Sequence, residues 1–354
     1  MAPRSDKWRI LVMGAEYDRA EAPIYESSFK GRRVDLFKTL LASSCKMDCL
    51  YCPFRRGRRG VERRRWKPDK LVDVFLELYR KGVVRGLFLS SGFYGDPDTI
   101  VEEELEVAEK LRERGYTGYI HLRLMPGTSW WYLKQAVRVA NRVGINVEAV
   151  DASAFQEYAP SKGDWRRDIL YRLEYLVREA RWGRASVDTQ LVVGLADESD
   201  LDILKLVWRL YRALGIGRIH FSAFTPMKGT PLEYREPVPA WREMRLYQAS
   251  ELVRSYGFSL KELGTILDDR GMLPDMDPKE AYAQANPDMY PVDINNASLE
   301  DLLRVPGIGP STAELILRIR RQRRITAATL IRILGPRRAR RILRYVDTGE
   351  AKLF

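Results

Sequence analysis

The chain has 354 residues, 45% of them hydrophobic, with three cysteines and a formal charge of +12. That length suits one large domain and one small one, each with its own core. No apolar leader and no long apolar run occur, so secretion and membrane spanning are not expected, and free thiols point to a reducing cytoplasm.

Residues 1–35 are expected to form an N-terminal extension packed on the domain that follows. From residue 36 to 225, strand-like and helix-like segments alternate. The strands read Leu36–Ala42, Gly86–Ser91, Gly118–Met125, Ile145–Val150, Ser186–Gly194 and Arg218–Phe224. The helices between them repeat apolar residues every three or four positions. In the first, Leu71, Val74, Phe75, Leu78 and Tyr79 share a face behind Pro68. The others cover about 101–114, 130–142, 166–182 and 200–214. Six βα units predict a parallel α/β sheet closed only in part, with its chemistry at the carboxyl ends of the strands. A helix near 240–256 completes this domain at residue 260. The stretch 261–291 contains Pro274, Pro278, Pro287 and Pro291 and reads as a linker.

All three cysteines fall within eight residues, Cys45-Lys-Met-Asp-Cys49-Leu-Tyr-Cys52, just after the first strand. In this C-x3-C-x2-C spacing, three thiolates can hold three irons of a [4Fe–4S] cluster and leave the fourth iron open. A structural zinc site wants four ligands, yet there is no fourth cysteine, and His121 and His220 lie far off in strand-like segments. An odd, clustered count argues against a disulfide framework. Three inert core cysteines are the remaining alternative.

Positive charge is concentrated in two places. Residues 55–67, RRGRRGVERRRWK, hold eight basic groups and one acid, and residues 291–354 hold thirteen and six. The rest of the chain has 39 basic and 41 acidic groups. Such local fields suit a polyanion, although the first is equally readable as a solvated arginine-rich face.

Residues 292–354 form a small helical unit. In LEDLLRVPGIGPSTAELIL, two helices flank Pro306-Gly307-Ile308-Gly309-Pro310. The glycines allow a tight hairpin, and Gly309 opens a helix whose first N–H groups, at Ser311 and Thr312, suit a phosphate oxygen. This stretch resembles the helix-hairpin-helix motif at Gly307, Gly309 and Ala313. A weaker copy, LIRILGPRRARRIL, aligns Gly335 and Ala339 with Gly309 and Ala313. Ile333 replaces its first glycine, so the second hairpin reads as more structural, with Arg337, Arg338, Arg340 and Arg341 still able to reach phosphates. The resemblance implies binding to the duplex DNA backbone without sequence readout.

The cysteine motif and the order of elements resemble the radical SAM superfamily. The fold this implies is α/β: a partial (β/α)6 radical SAM barrel over 36–260, followed by the small all-α helix-hairpin-helix domain. The resemblance implies a [4Fe–4S] cluster on Cys45, Cys49 and Cys52. It also implies S-adenosylmethionine as cofactor and an external electron donor such as ferredoxin or flavodoxin. Ser90, Ser91 and Gly92 stand where the superfamily has a Gly-Gly-Glu-like turn, and are expected to offer backbone contacts. Tyr51 is expected near adenine, and Glu148 at ribose or the amino group. Arg123 and Lys162 are candidates for the methionine carboxylate or a substrate phosphate, or for plain ion pairs. Gly194 matches the fifth-strand glycine, and Phe224 and Thr225 lie where the sixth strand meets adenine.

The strings AEYD (15–18), GLFLSSG (86–92), GYIHLRLMPG (118–127), NVEA (146–149), RLYQAS (245–250) and DPKEA (277–281) precede LLRVPGIGP in that order. Together they resemble a family of radical SAM proteins assigned to DNA modification or repair, often encoded beside a uracil-DNA-glycosylase-like protein. The implied reaction modifies or repairs a nucleotide in DNA. Arg55, Arg56, Arg58 and Arg59 would guide a strand to the barrel, and Trp66 would either stack on a base or belong to the core. The alternatives are a radical enzyme acting on RNA such as tRNA, and a non-catalytic iron–sulfur DNA-binding scaffold.

Overall fold

The computed structural model describes residues 24–29, 32–183 and 185–350. AEYD at 15–18 and most of the 1–35 extension lie outside the described residues. The chain divides into two compact units: Met1–Asp197 with Leu214–Val238, and Glu198–Ala213 with Pro239–Phe354.

The first unit holds one sheet. Strand β1 (Ile24–Phe29) pairs antiparallel with β2 (Arg32–Leu40). From β2 onward every pairing is parallel. The order runs through β3 (Gly86–Ser90), β4 (Tyr119–Arg123), β5 (Arg142–Gly144), β6 (Ser186–Val193) and β7 (Arg218–Ala223). β2 and β7 do not pair, so six parallel strands make a curled half-barrel. Helices α1 (Pro68–Arg80), α2 (Pro97–Glu113), α3 (Trp130–Val139), α4 (Ala152–Tyr158) and α5 (Tyr171–Ala180) cover its outside. α1 and α2 start on Pro68 and Pro97, whose missing N–H costs nothing in a first turn. α1 buries Leu71, Val72, Val74, Phe75 and Leu76, close to the apolar stripe expected from sequence.

Three local differences bear on the site. The fourth parallel strand is Arg142–Gly144 and not Ile145–Val150. It ends at a glycine because a Cβ on Gly144 would collide with Asp188. α4 is an additional helix, capped by the Asp151 carboxylate on the Ala154 N–H at 2.9 Å. The segment 165–170 is a π-helical turn leading into α5.

The second unit contains α6 (Asp200–Trp208), α7 (Ala240–Ser255), α8 (Leu260–Gly264) and α9 (Pro278–Ala285). The expected linker 261–291 is folded: Pro278 and Pro287 start helical turns, and Tyr282 is buried with its ring 5.1 Å from that of Phe258. A proline suits the first turn of a helix as well as a loop, and Pro278 and Pro287 take the first role. Helices α10 (Leu299–Arg304), α11 (Pro310–Arg320), α12 (Ala327–Leu334) and α13 (Pro336–Ile342) form two hairpins. They share a core that includes Leu302, Ile308, Ala313, Ile316, Leu330, Ala339 and Ile342. Short strands β8 (Val292–Asp293) and β9 (Val346–Asp347) pair in parallel and fasten its two ends.

Candidate active site

The segment after β2 carries the cysteines and is tied to its surroundings through the backbone. The Gly92 N–H donates to the Ala42 carbonyl and the Lys46 N–H to the Phe93 carbonyl, both at 2.7 Å. A Cβ on Gly92 would collide with the Ser44 carbonyl. Gly92 is therefore required by close packing against the cysteine loop.

The arginine-rich stretch folds this loop. Arg63 donates to the carbonyls of Ser43 and Phe54 at 2.8 and 2.6 Å. Arg55 donates to those of Cys49 and Asp48 at 3.3 and 3.1 Å, and Arg58 to Pro53 and Lys228 at 2.8 and 2.9 Å. Arg55 and Arg58 thus serve loop carbonyls, which are good acceptors where no helix or strand uses them. Only Arg56, in a surface pair with Asp48 at 2.9 Å, and exposed Arg59 keep the character expected of a phosphate guide. Trp66 is a core residue, 5% exposed, with its indole N–H on Thr39 Oγ1 at 3.1 Å.

Cys45, Cys49 and Cys52 line one cavity of about 430 Å³ at the carboxyl ends of the parallel strands. Backbone N–H groups of Phe93 and Phe54 lie 3.4 Å from the sulfurs of Cys45 and Cys52. Burial pushes the Cys49 thiol up to about 11 and the Cys52 thiol to about 12, so a bare thiolate is disfavoured and a bound cation would stabilise it. Among the described residues, no three histidine, cysteine or carboxylate groups converge on a single-ion position. Three thiols around a shared cavity fit a polynuclear iron–sulfur cluster better than one zinc ion.

The same cavity is lined by Tyr51, Ser90, Ser91, Gly92, Arg123, Glu148, Lys162, Phe224 and Thr225. Gly194 is absent from its lining; its φ of 83° answers to the turn that ends β6. Glu148 is the one non-glycine residue with positive φ, 61°, among the described residues. Its N–H donates to the Gln190 carbonyl and its carbonyl accepts from Val192, at 3.0 and 2.8 Å, so neighbouring β6 fixes the strained backbone. Glu148, buried, and Lys162, partly buried, form an ion pair with each other. Burial opposes the charge on Lys162, but Glu148 and the nearby thiols hold its pKa above the ordinary lysine value. The Tyr51 hydroxyl is buried beside this pair, and burial together with Glu148 pushes its pKa well up.

Arg123 takes the second of its expected roles, an ion pair, but a buried one. Its two terminal nitrogens grip Asp188 at 3.0 and 3.2 Å, and Asp188 also faces His121 and His220 at 3.1 and 3.0 Å. The guanidinium therefore already has a carboxylate partner. Burial raises the cost of the Asp188 charge, but Arg123 outweighs it and holds the carboxyl well below its usual range. Burial drives the His121 pKa down to about 4, so that ring is neutral. The two histidines, remote in sequence from the cysteines and each other, meet inside the half-barrel. Period-two alternation of Asp188-Gln190-Val192 and His220-Ser222 is the signal that would have found this inner face.

In the second unit Gly307 has φ 88°, and a Cβ there would sit 3.1 Å from Ile342. Gly309, opposite the Tyr256 hydroxyl, begins α11 and supplies no side-chain cap, so the N–H groups of exposed Ser311 and of Thr312 lack one. Arg338 donates to Thr312 Oγ1 at 3.0 Å and links the hairpins. Arg341 pairs with Asp277 and Glu280 at 3.0 and 2.9 Å, so it fastens α13 to α9 instead of standing free for phosphate. Arg337 is exposed. Gly335, φ 78°, opens a helix of only seven residues.

The sequence model described as the radical SAM superfamily matches residues 40–207, and that of the helix-hairpin-helix motif matches residues 291–319. The 7,8-didemethyl-8-hydroxy-5-deazariboflavin synthase of Methanosarcina mazei is 27% identical over 219 residues, 56% of this chain and 61% of that protein. The chain thus spans about three fifths of this curated relative's length. The FeFe-hydrogenase maturase HydG from Carboxydothermus hydrogenoformans superposes with a TM-score of 0.51 at 16% identity, over 62% of this chain and 51% of that one. That likeness is one of fold.

Proposed function

We propose that the chain is a radical SAM enzyme that modifies or repairs a nucleotide in DNA, on the premise of its match to the radical SAM superfamily over residues 40–207 and to the helix-hairpin-helix motif over residues 291–319. The observation that carries the reading is one cavity shared by three cysteines and the Glu148–Lys162 pair, at the carboxyl ends of a parallel half-barrel.

Cys45, Cys49 and Cys52 would hold a [4Fe–4S] cluster. When bound and reduced by an external one-electron donor, the cluster supplies the electron that cleaves S-adenosylmethionine to methionine and a 5′-deoxyadenosyl radical. The chain's own residues bind and orient. Backbone N–H groups of Phe93 and Phe54 support sulfur charge. Lys162 is a partly buried cation suited to the methionine carboxylate, and Glu148 a carboxylate suited to the amino group or ribose hydroxyls. Phe54, Phe93 and Phe224 keep the walls apolar and exclude water.

The DNA assignment rests on the hairpins. Open N–H groups at the start of α11 and exposed Arg337 and Arg338 suit phosphate oxygens, which gives non-sequence-specific binding. A base inside a duplex is out of reach of the cavity, so the nucleotide would have to leave the stack. The test is anaerobic turnover of reduced, reconstituted protein on DNA, followed by mass spectrometry of the digested nucleosides. A changed nucleoside that requires S-adenosylmethionine supports the reading; change confined to a tRNA substrate overturns it.

A further inference from the structure

Lys279 stands in the first turn of α9 and is 7% exposed. Its ammonium donates to the Ile308 carbonyl at 2.6 Å, and the Tyr256 ring centre lies 4.9 Å from the nitrogen. Among the described residues it makes no ion pair. The carboxylates around it are engaged elsewhere. Asp277 accepts the Lys279 backbone N–H at 3.0 Å and pairs with Arg341 at 3.0 Å. Glu280 pairs with Arg341 at 2.9 Å, and Glu262 with Arg304 at 2.7 Å. A buried ammonium without a counter-charge is a cost to the fold that a methionine of similar length would not carry. Such a cost points to a use other than folding.

The carbonyl it holds belongs to the hairpin. Ile308 stands between Gly307 and Gly309, and its carbonyl shares one peptide unit with the Gly309 N–H. In a trans peptide these two groups point in opposite directions. Lys279 on the carbonyl therefore turns the Gly309 N–H away from itself. That N–H has no partner among the described residues. A cation on the carbonyl also polarises the unit and strengthens the N–H as a donor. Ser311, with the next uncapped N–H, is three residues on and so within about 11 Å of Ile308. The arrangement is packed from one side by Tyr256, whose hydroxyl would lie 3.1 Å from a Cβ on Gly309.

We propose that Lys279 is the resident counter-charge of the hairpin, which a DNA phosphate on the Gly309 and Ser311 N–H groups balances across one peptide unit. The proposal rests on the duplex-binding reading above and adds the residue that charges the hairpin. It makes binding depend on a proton. Burial brings the ammonium's pKa down to about 7. The charged groups that face it are Asp277 and Glu280 on α9, Glu262 on α8, Arg304 on α10 and Arg341 on α13. Carboxylates and guanidiniums in ion pairs keep their charge between pH 6 and 9. Burial raises the Tyr256 pKa above its ordinary value, so that hydroxyl stays neutral. A bound phosphate favours the protonated lysine, so affinity is highest below pH 7 and falls as pH rises.

The experiment titrates the full-length protein with a fluorescein-labelled DNA duplex of about 20 base pairs at fixed salt, from pH 6 to 9. Wild-type affinity should fall about 5- to 20-fold over that range, the effect of one nearby charge. K279M should bind about 5- to 20-fold more weakly than wild type at pH 6 and show no fall with pH. K279Q keeps a donor for the Ile308 carbonyl without the charge. It should also be flat, and lie between K279M and wild type at pH 6. A residue that only props the hairpin behaves differently. K279M weaker by the same factor at every pH, or K279Q equal to wild type throughout, overturns the proposal. So does K279M equal to wild type at pH 6. Wild-type affinity that does not change with pH overturns it without any variant. If the wild type binds no duplex at any pH, the duplex-binding reading fails and the proposal with it.

Discussion

Glu148 and Asp188 differ in how readable they were. Glu148 stands in a recognisable string just beyond a strand, so its place at the cavity was expected, but its left-handed backbone and its pairing with Lys162 were not. Both depend on contacts across the sheet that no local pattern encodes. Asp188 was missed because a lone acid in an apolar strand looks like noise until β4 and β7 bring Arg123 and His220 to it. Replacing Asp188 by Asn should leave a buried guanidinium without its counter-charge and cost about 3–5 kcal/mol in urea unfolding. Loss under 1 kcal/mol would show that water or Gln190 takes over the role. At the cavity, K162M should raise the dissociation constant for S-adenosylmethionine about 10- to 100-fold, the value of one charge-assisted contact, with iron content unchanged. Calorimetry on the reconstituted protein measures it.

Among the elements, the six strands were legible from apolar runs set between helical periods, and five lie close to their expected spans. The fourth moved because Gly144, which reads as a neutral strand residue, is the point at which the Arg123–Asp188 pair comes against the sheet. The arginine stretch was legible as charge but not as structure, since a guanidinium on a carbonyl leaves no mark in sequence. Gly92→Ala should press on the Ser44 carbonyl and displace the cysteine loop. We expect reconstituted iron and the cluster's visible absorbance to fall by half or more, while far-ultraviolet dichroism holds.

Lys279 on α9 donates to the Ile308 carbonyl at 2.6 Å and so supports the first hairpin from beneath. Burial brings its pKa down to about 7, with Arg304 and Arg341 adding to the shift and Asp277 opposing it. An unfolded lysine titrates near 10.4, so between about pH 7 and 10 the unfolded chain holds the extra proton and stability rises with pH; below pH 7 this contribution is flat. K279M should therefore melt roughly 2–4 °C above wild type at pH 6 and lose that lead by pH 9.5. A lead that is the same at both pH values would place the lysine in water.

For the whole molecule, the sequence indicated a large α/β part and a small basic helical part. The boundary it suggested was displaced, because 198–213 and 239–260 cluster with the second unit and the proline-rich stretch is folded. Of the eight basic groups in the first field, Arg55, Arg58 and Arg63 are turned to carbonyls in and beside the cysteine loop, so on the proposed reading duplex affinity falls chiefly to the second field. R337A/R338A should weaken duplex binding about equally across sequences. It should also flatten the plot of log affinity against log salt by roughly 1–2, the release of one or two counterions. An unchanged slope would move the phosphate contacts elsewhere.

The account proposes an open-iron cavity and a DNA-binding module on one chain, and its most direct test is whether the second governs the first. Reduced, reconstituted protein should be incubated with S-adenosylmethionine under anaerobic conditions, with and without duplex DNA, and 5′-deoxyadenosine followed by chromatography. We predict formation that needs all three cysteines and accelerates at least severalfold with DNA. No 5′-deoxyadenosine with DNA present, or acceleration by tRNA alone, would contradict the account.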